Sequence, residues 1–324
     1  MSTSAVPSVD VNPAPVPIWR RLLIYVLFTA FAVWCLVGFR RDIAQIDLSP
    51  LRQGWPAIVM AAGLSLVNYA LRVVRWRLYL QRLGHSLPWR FVSLTFMAGF
   101  AFTLSPGKLG EMVRARYYQP RGIPLAAVTG AFFVERLLDL VVMILLAMAV
   151  LAELQAYRSF LWVAVVLVGG LLASIALVPW GVVSDRLSRH PHGRLVKTLE
   201  SVVRMFVSAR MFLSPGMLLL GLAIGMAAWS CEAFGLKLVA DVISPAPLSV
   251  AGAMGIYAIA IIVGALSFLP GGLGSTEAVM AALLVAHGFQ TSQAILLTLI
   301  CRLLTLWLAV VIGWLCVWIL RRAQ

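Results

Sequence analysis

The sequence predicts an all-α integral membrane protein, with about six full transmembrane helices and two broken, re-entrant helical hairpins arranged as an inverted repeat. Three observations carry this reading. Of 324 residues, 62% are hydrophobic and 12% charged, against about half and about a quarter in an ordinary soluble domain. Apolar runs near the ~20 residues that cross a bilayer recur along the chain. Two Pro-Gly breaks interrupt apolar stretches and match each other. One soluble core cannot hide this much apolar surface, which excludes a soluble enzyme, a disordered chain and a disulfide scaffold.

Residues 1–17 are rich in Pro, Ser and Val without helical period, and predict a disordered tail before one polytopic membrane domain, 18–324. Arg20 and Arg21 precede an apolar run over 22–39 with no small-x-small cleavage site after it, so a first span is expected there and not a removed signal peptide. A second span, 56–80, ends in R-V-V-R-W-R, whose Arg72, Arg75 and Arg77 read as inner-leaflet anchors. The stretch 89–118 is apolar only to Leu104 and then breaks at S-P-G-K-L-G-E. About 16 apolar residues are too few for a comfortable crossing, so a hairpin is expected to enter and return. Further spans follow at 123–152, 160–182 and 215–240. A second broken segment, 248–286, is interrupted by F-L-P-G-G-L-G-S-T-E, and a last span runs 292–320. Between 184 and 214 the chain is polar and basic. An amphipathic helix over 194–213 puts Leu195, Leu199, Val202, Val203 and Phe206 on one face and Lys197, Ser201, Arg204 and Ser208 on the other, suited to an anionic leaflet surface.

The net charge is +14, from 26 Lys and Arg against 12 Asp and Glu. In a soluble chain this would suggest nucleic acid. Here it follows topology, and no nucleic-acid partner is expected. With both termini cytoplasmic and each hairpin returning to its side of entry, nineteen Lys and Arg fall inside and four (Arg40, Arg41, Arg52, Arg158) outside, in a cytoplasmic (bacterial inner) membrane. The remaining three, Arg136, Lys237 and Arg302, lie within spans. Trp19, Trp55, Trp89 and Trp180 mark interfacial belts. Cys35, Cys231, Cys301 and Cys316 form no CxxC pair, and His85, His190, His192 and His287 form no metal-spaced pair within a span; neither metal nor cofactor is expected. No nucleophile elbow, Walker loop or carboxylate-rich metal motif occurs.

The two breaks are copies. P-G-K-L-G (106–110) aligns with P-G-G-L-G (270–274); Ser275 and Thr276 are extra in the second copy, and beyond them the offset is constant. Glu111 then matches Glu277, Gly122 matches Gly288, and Arg136-Leu137-Leu138 matches Arg302-Leu303-Leu304. This defines repeat one at about 20–155 and repeat two at about 160–322. Three full crossings separate the hairpins. Because three is odd, the copies point in opposite directions through the bilayer, a transporter architecture in which exchanging the conformations of the halves converts an inward-open cavity into an outward-open one.

The candidate site follows from the tips. Pro106, Gly107, Lys108 and Gly110, and Pro270, Gly271, Gly272 and Gly274, put a tight turn at a helix start, with free N–H groups facing the tip. Irregular backbone at membrane depth belongs where it is buried in protein or lines a wet cavity. The tips therefore suit an anionic group such as a lipid phosphate. They also suit a plain hinge, with Glu111 and Glu277 as first-turn acids and Ser275 and Thr276 as caps. Arg136 has Glu135 beside it and Asp139 at i+3. Arg302 has no acid one turn away, so Glu277 or a bound phosphate must partner it. An Arg–Glu lock between repeat elements and a gate broken by substrate remain compatible. Glu232 and Lys237, five residues apart, are weaker candidates for gating or ion pairing.

S-P-G-K-L-G-E-x-x-R, then E-R-L-L-D-L, L-P-G-G-L-G-S-T-E and a distal R-L-L-T-L-W resemble the lysylphosphatidylglycerol synthase transmembrane-region family, flippase-like membrane proteins, over about 20–320. In larger members this region is similar to the part that moves an aminoacylated phospholipid between leaflets, while a separate soluble domain makes that lipid. With no such domain expected here, the resemblance implies a lipid flippase and not an enzyme. Its substrate would be an anionic phospholipid, a polyisoprenoid-linked sugar or a hopanoid, and a lipid-synthesis enzyme is a possible partner. The competing expectations are a lipid-modifying enzyme using Glu135 with Asp139, and a non-transporting scaffold. The inverted arrangement predicts that single cysteines near 108 and near 273 react from opposite faces of the membrane as the protein cycles; labelling of both from one face alone would end that reading.

Overall fold

The computed structural model describes residues 49–151, 177–187, 194–245 and 247–322, with 166, 169, 170, 173 and 174. The expected tail, the first span and most of the fourth, together with Trp19, Cys35, His190 and His192, lie outside the described residues. Those described form helices and connecting turns, with no strand among them.

Helix α1, Trp55–Arg82, begins with Pro56 in its first turn, where a missing N–H costs nothing, and is followed by Gly84 at φ +83°. Helix α2, Trp89–Phe100, is only 12 residues, roughly 18 Å, well short of a ~30 Å hydrocarbon core. After five connecting residues the chain runs back as a 3₁₀ segment, Pro106–Arg114, and a short helix, Ala115–Tyr118. Gly122 at φ +79° then turns it into α3, Leu125–Leu151. Helices α4 (Trp180–Leu187) and α5 (Arg194–Arg210) follow. Next come α6, Pro215–Ile243, and α7, Val250–Leu266, which Ser249 caps by accepting from the Gly252 N–H at 2.9 Å. A 3₁₀ turn, Pro270–Gly272, leads into α8, Ser275–Ala286. Gly288 at φ +90° introduces α9, Thr291–Arg302, which continues through a π turn, Leu303–Trp307, into α10, Leu308–Arg322.

Three helical stretches are long and apolar enough to cross a membrane: Trp55–Arg82, Pro215–Ile243 and Thr291–Arg322. They correspond to expected spans 56–80, 215–240 and 292–320. Helix α3 has the length, about 40 Å, but carries Glu135, Arg136 and Asp139 at its middle. The last span is not the unbroken α-helix expected. The π turn directly after Arg302 frees the Thr305 carbonyl, which accepts from the Tyr69 hydroxyl of α1.

Both breaks fold back on the helix before them. A Cβ on Gly99 of α2 would lie 3.2 Å from the Glu111 carbonyl oxygen, and one on Gly110 2.5 Å from that of Phe102. In the second break, a Cβ on Gly264 of α7 would lie 2.0 Å from Thr276 Oγ1. Two aligned pairs also share backbone shape. Lys108 has φ +57° where its counterpart Gly272 has +67°, and Gly122 and Gly288 agree likewise. Leu104 packs on Gly271, so the two breaks meet. Helix α2 lies on α10, and α7 lies on α3. Helices α1 and α6 run antiparallel, since Gly54 meets Val242, Ala61 meets Gly235, and Tyr79 meets Gly221 in turn. Small residues permit these close approaches.

Helix α5, expected on a leaflet surface, packs against the bundle. It docks on α3: a Cβ on Gly130 would lie 2.8 Å from Ser208, and Phe206 packs on Phe133 and Trp180. Val203 and Ala209 are buried while Leu199, Val202 and Val207 stay exposed. Ser208, assigned to the polar face, is therefore a contact. The side chains of Leu195, Lys197 and Ser201 lie outside those described.

At the α2–α10 crossing a Cβ on Gly313 would lie 2.2 Å from the Ala101 nitrogen. G313A is expected to lower the unfolding temperature in detergent, by an amount corresponding to about 1–3 kcal/mol of overpacking. G63A, which meets nothing within 4 Å, is the control and should hold or raise it.

Candidate functional site

The middle of α3 brings carboxylates into the bundle, and guanidinium groups converge on them. Glu135 is 0% exposed. Its oxygens lie 2.8 Å from Arg114, 3.1 Å from Arg136, 3.5 Å from Arg75 and 3.6 Å from Arg72. Asp139, one turn on, accepts from Arg75 Nη2 at 2.6 Å and from Trp229 Nε1 at 3.0 Å, and lies 3.4 Å from Arg136. Two arginines come from α1, one from the first break, and the indole from α6. Aromatic faces cover the cations: Arg114 lies 3.8 Å from the Trp76 ring centre, and Arg72 5.3 Å from those of Phe100 and Trp229.

The aligned glutamates face the aligned arginines. Glu111 takes a hydrogen bond from Thr103 Oγ1 at 2.9 Å and lies 3.7 Å from Arg136 Nη2. Glu277 accepts from Arg302 Nε at 2.6 Å and from the Gly274 N–H at 2.6 Å, so it both caps α8 and partners the arginine. Arg302 Nη2 also donates to the Gly271 carbonyl at 2.7 Å. Each Glu–Arg pair spans 25 residues of chain. Of the partners left open for Arg302, the structure supplies Glu277.

A cavity of about 270 Å³ lies where these elements meet. The first break contributes Ser105 and Lys108, the second Gly271, Gly272 and Thr276; Arg136, Asp139 and Arg302 complete its polar lining against an apolar wall that includes Leu140, Met143 and Ile261. A smaller space of about 40 Å³ adjoins it, with Arg72, Glu111, Glu232, Tyr257 and Thr305 on its walls. Lys108, Trp229 and Arg302 border both. Among the described residues Lys108 has no carboxylate oxygen within 4.0 Å. Several buried guanidinium nitrogens, on Arg72, Arg75, Arg114 and Arg136, find no hydrogen-bond acceptor among the described residues.

The remaining expected residues have other places. Gly110 closes the first turn, its N–H donating to Ser105 Oγ at 2.5 Å. Ser275 Oγ donates to Ser267 Oγ at 2.8 Å, inside the second hairpin. Pro270 and Gly274 shape the second turn without lining the cavity. Pro106 and Gly107 open the 3₁₀ segment, and their surroundings lie outside those described. Glu232 accepts from the Tyr257 hydroxyl. Lys237 pairs with Asp241 one turn along α6 and joins neither cavity, so it is no partner of Glu232.

Arg72 and Arg75 correct the leaflet-anchor reading: they are 5% and 0% exposed, inside the bundle. Sequence reasoning missed both, and Arg114. A signal was present, because Tyr69, Arg72, Trp76 and Tyr79 share one helical face with Arg75 beside it, whereas Arg77 turns away to stack on Trp89 at 4.0 Å.

Glu135→Ala strands several buried cations and is expected to cost about 3–5 kcal/mol, read as a large drop in unfolding temperature. Glu200→Ala, which breaks the half-exposed 2.8 Å pair with Arg204, is expected to cost no more than about 1 kcal/mol.

Comparison with known proteins places the chain among membrane proteins. The chain is similar to two proteins described as UPF0104 membrane protein, both from Methanothermobacter thermautotrophicus. The first is 26% identical over 314 residues, covering 89% of this chain and 88% of that protein. The second is 23% identical over 290 residues, covering 81% and 85%. The profile described as lysylphosphatidylglycerol synthase TM region matches residues 19–313, and the chain accordingly belongs to that family of membrane proteins.

Proposed function

We propose that this protein is a lipid translocator and not an enzyme, moving an anionic or lipid-linked amphiphile between leaflets of the bacterial cytoplasmic membrane through a chamber between two inverted repeats. The observation that carries the reading is the 270 Å³ cavity on which both breaks, Arg136, Arg302 and the unpaired Lys108 ammonium converge. Cationic donors beside an apolar wall suit a phosphate headgroup whose acyl chains stay in the bilayer. The family supports a lipid context. An anionic phospholipid or a polyisoprenoid-linked phosphate fits the cationic lining better than an uncharged hopanoid.

The antiparallel course of α1 and α6, the aligned left-handed backbone at Lys108 and Gly272, and the reciprocal packing of α2 on α10 and α7 on α3 support the inverted-repeat reading. Both termini are assigned to the cytoplasm. Setting aside buried Arg72, Arg75 and Arg114 and the chamber's Lys108 leaves fifteen cations inside against four outside, so the bias keeps its sign. Glu135 and Asp139 are engaged by guanidinium groups, which favours a structural role for them over acid–base chemistry.

In this mechanism the headgroup phosphate takes the Lys108 ammonium first and then competes with Glu277 for Arg302, loosening the second break. Leaflet exchange of fluorescent phosphatidylglycerol and of a fluorescent polyisoprenyl phosphate in proteoliposomes tests it. Lys108→Gln and Arg302→Ala are each expected to lower the protein-dependent rate at least tenfold, with the Lys108 variant keeping the wild-type unfolding temperature because no ion pair is lost. Wild-type rates in both variants would remove the chamber from the mechanism.

A further inference from the structure

The buried acids of the core are not alike. Glu111, Glu135 and Asp139 each face at least one guanidinium. Glu232, midway along α6 and 5% exposed, has no Lys or Arg nitrogen within 4.0 Å among the described residues. Its carboxylate accepts from the Tyr257 hydroxyl of α7. A lone carboxylate in a membrane bundle is costly as an anion unless compensated, and otherwise carries a proton.

The groups around it define the choice. Helix α1 turns Tyr69 and Arg72 toward the small space that Glu232 borders, the first break turns Lys108 and Glu111, and Arg302 closes it from α9. The free thiols of Cys231, its neighbour on α6, and of buried Cys301 complete the surroundings. Arg72, Glu111 and Arg302 each have an ionic partner already. Lys108 alone does not, and it borders both this space and the larger cavity. The two unpaired charges of the chamber, one cation and one acid, therefore flank the same partition.

Building on the translocator reading, we propose that Glu232 is a proton-binding site that couples lipid movement to the proton gradient. With the chamber empty, the Glu232 carboxylate balances Lys108 across the small space. When an anionic headgroup takes Lys108, that balance is withdrawn, and Glu232 takes one proton from water at the open face. On release at the other face the headgroup and the proton leave together. For a monoanionic headgroup one proton travels with one lipid, no net charge crosses the membrane, and no bond in the lipid is made or broken.

The test uses the full chain in vesicles of zwitterionic lipid doped with fluorescent phosphatidylglycerol or fluorescent polyisoprenyl phosphate, with the membrane potential clamped. At one-to-one coupling, a gradient of one pH unit supports a leaflet ratio of about tenfold, with accumulation on the alkaline side and proton entry reported by a trapped dye. Glu232→Gln is expected to abolish both the gradient-driven accumulation and the lipid-driven proton entry. Should that variant fail to fold, Tyr257→Phe serves, and is expected to move the pH midpoint of coupling. Exchange that ignores the gradient, accumulation that survives Glu232→Gln, or an unmoved midpoint in Tyr257→Phe would overturn the proton site and leave the translocator reading standing. No exchange of either probe under any gradient would take down both.

Discussion

Charge placed inside a membrane bundle must be compensated where it stands, and Glu135 is where this protein meets that requirement most completely. Four guanidinium groups from α1, α3 and the first break surround its two oxygens. Asp139 extends the cluster to the Trp229 indole of α6. The cluster therefore ties three helices and a break in regular backbone to one point. It also explains how a 3₁₀ segment sits against the bundle: Arg114 anchors its end inside protein. A buried ionic network of this kind is weak evidence for net stability, but strong evidence that its members cannot be removed singly.

The two halves use one pairing in two settings. A glutamate after the break faces an arginine 25 residues later in both. In the first half the pair is loose, at 3.7 Å, and immersed in the larger network. In the second it is close, at 2.6 Å, reinforced by the Gly271 carbonyl, and followed at once by a π turn. Releasing the second break asks one guanidinium to let go. Releasing the first disturbs Arg114 and through it everything bound to Glu135. The second break is thus held by fewer ionic partners than the first. Beside it lies the cavity wall built from Gly271, Gly272 and Thr276.

Glycine placement makes the chamber possible. At Gly271 and Gly272 the backbone is left-handed and also too close to Leu104 and Gly264 for a side chain. Lys108 holds the matching conformation without that freedom. A strained non-glycine residue at the tip of a break, carrying the chamber's unpaired ammonium, is the arrangement expected where position matters more than local comfort.

Much of this was legible in the chain itself. Composition required a membrane, apolar run lengths gave three of the crossing helices, and the matched P-G-x-L-G breaks located both hairpins and paired Glu111 with Glu277 and Arg136 with Arg302. These are local properties, fixed by solvent, hydrogen-bond satisfaction and turn chemistry. What pairs with what across the bundle was not legible. Arg72 and Arg75 look like surface anchors in a basic stretch, and only the antiparallel packing of α1 on α6 against α3 turns them onto Glu135 and Asp139. Arg302 had two possible partners until the fold brought Glu277 to it. Lys237, close to Glu232 in sequence, points elsewhere on its helix, whereas Tyr257, 25 residues distant, supplies the hydrogen bond. Long-range charge pairing depends on which helical faces meet. Sequence periodicity says which residues share a face, and only tertiary packing says what that face looks at.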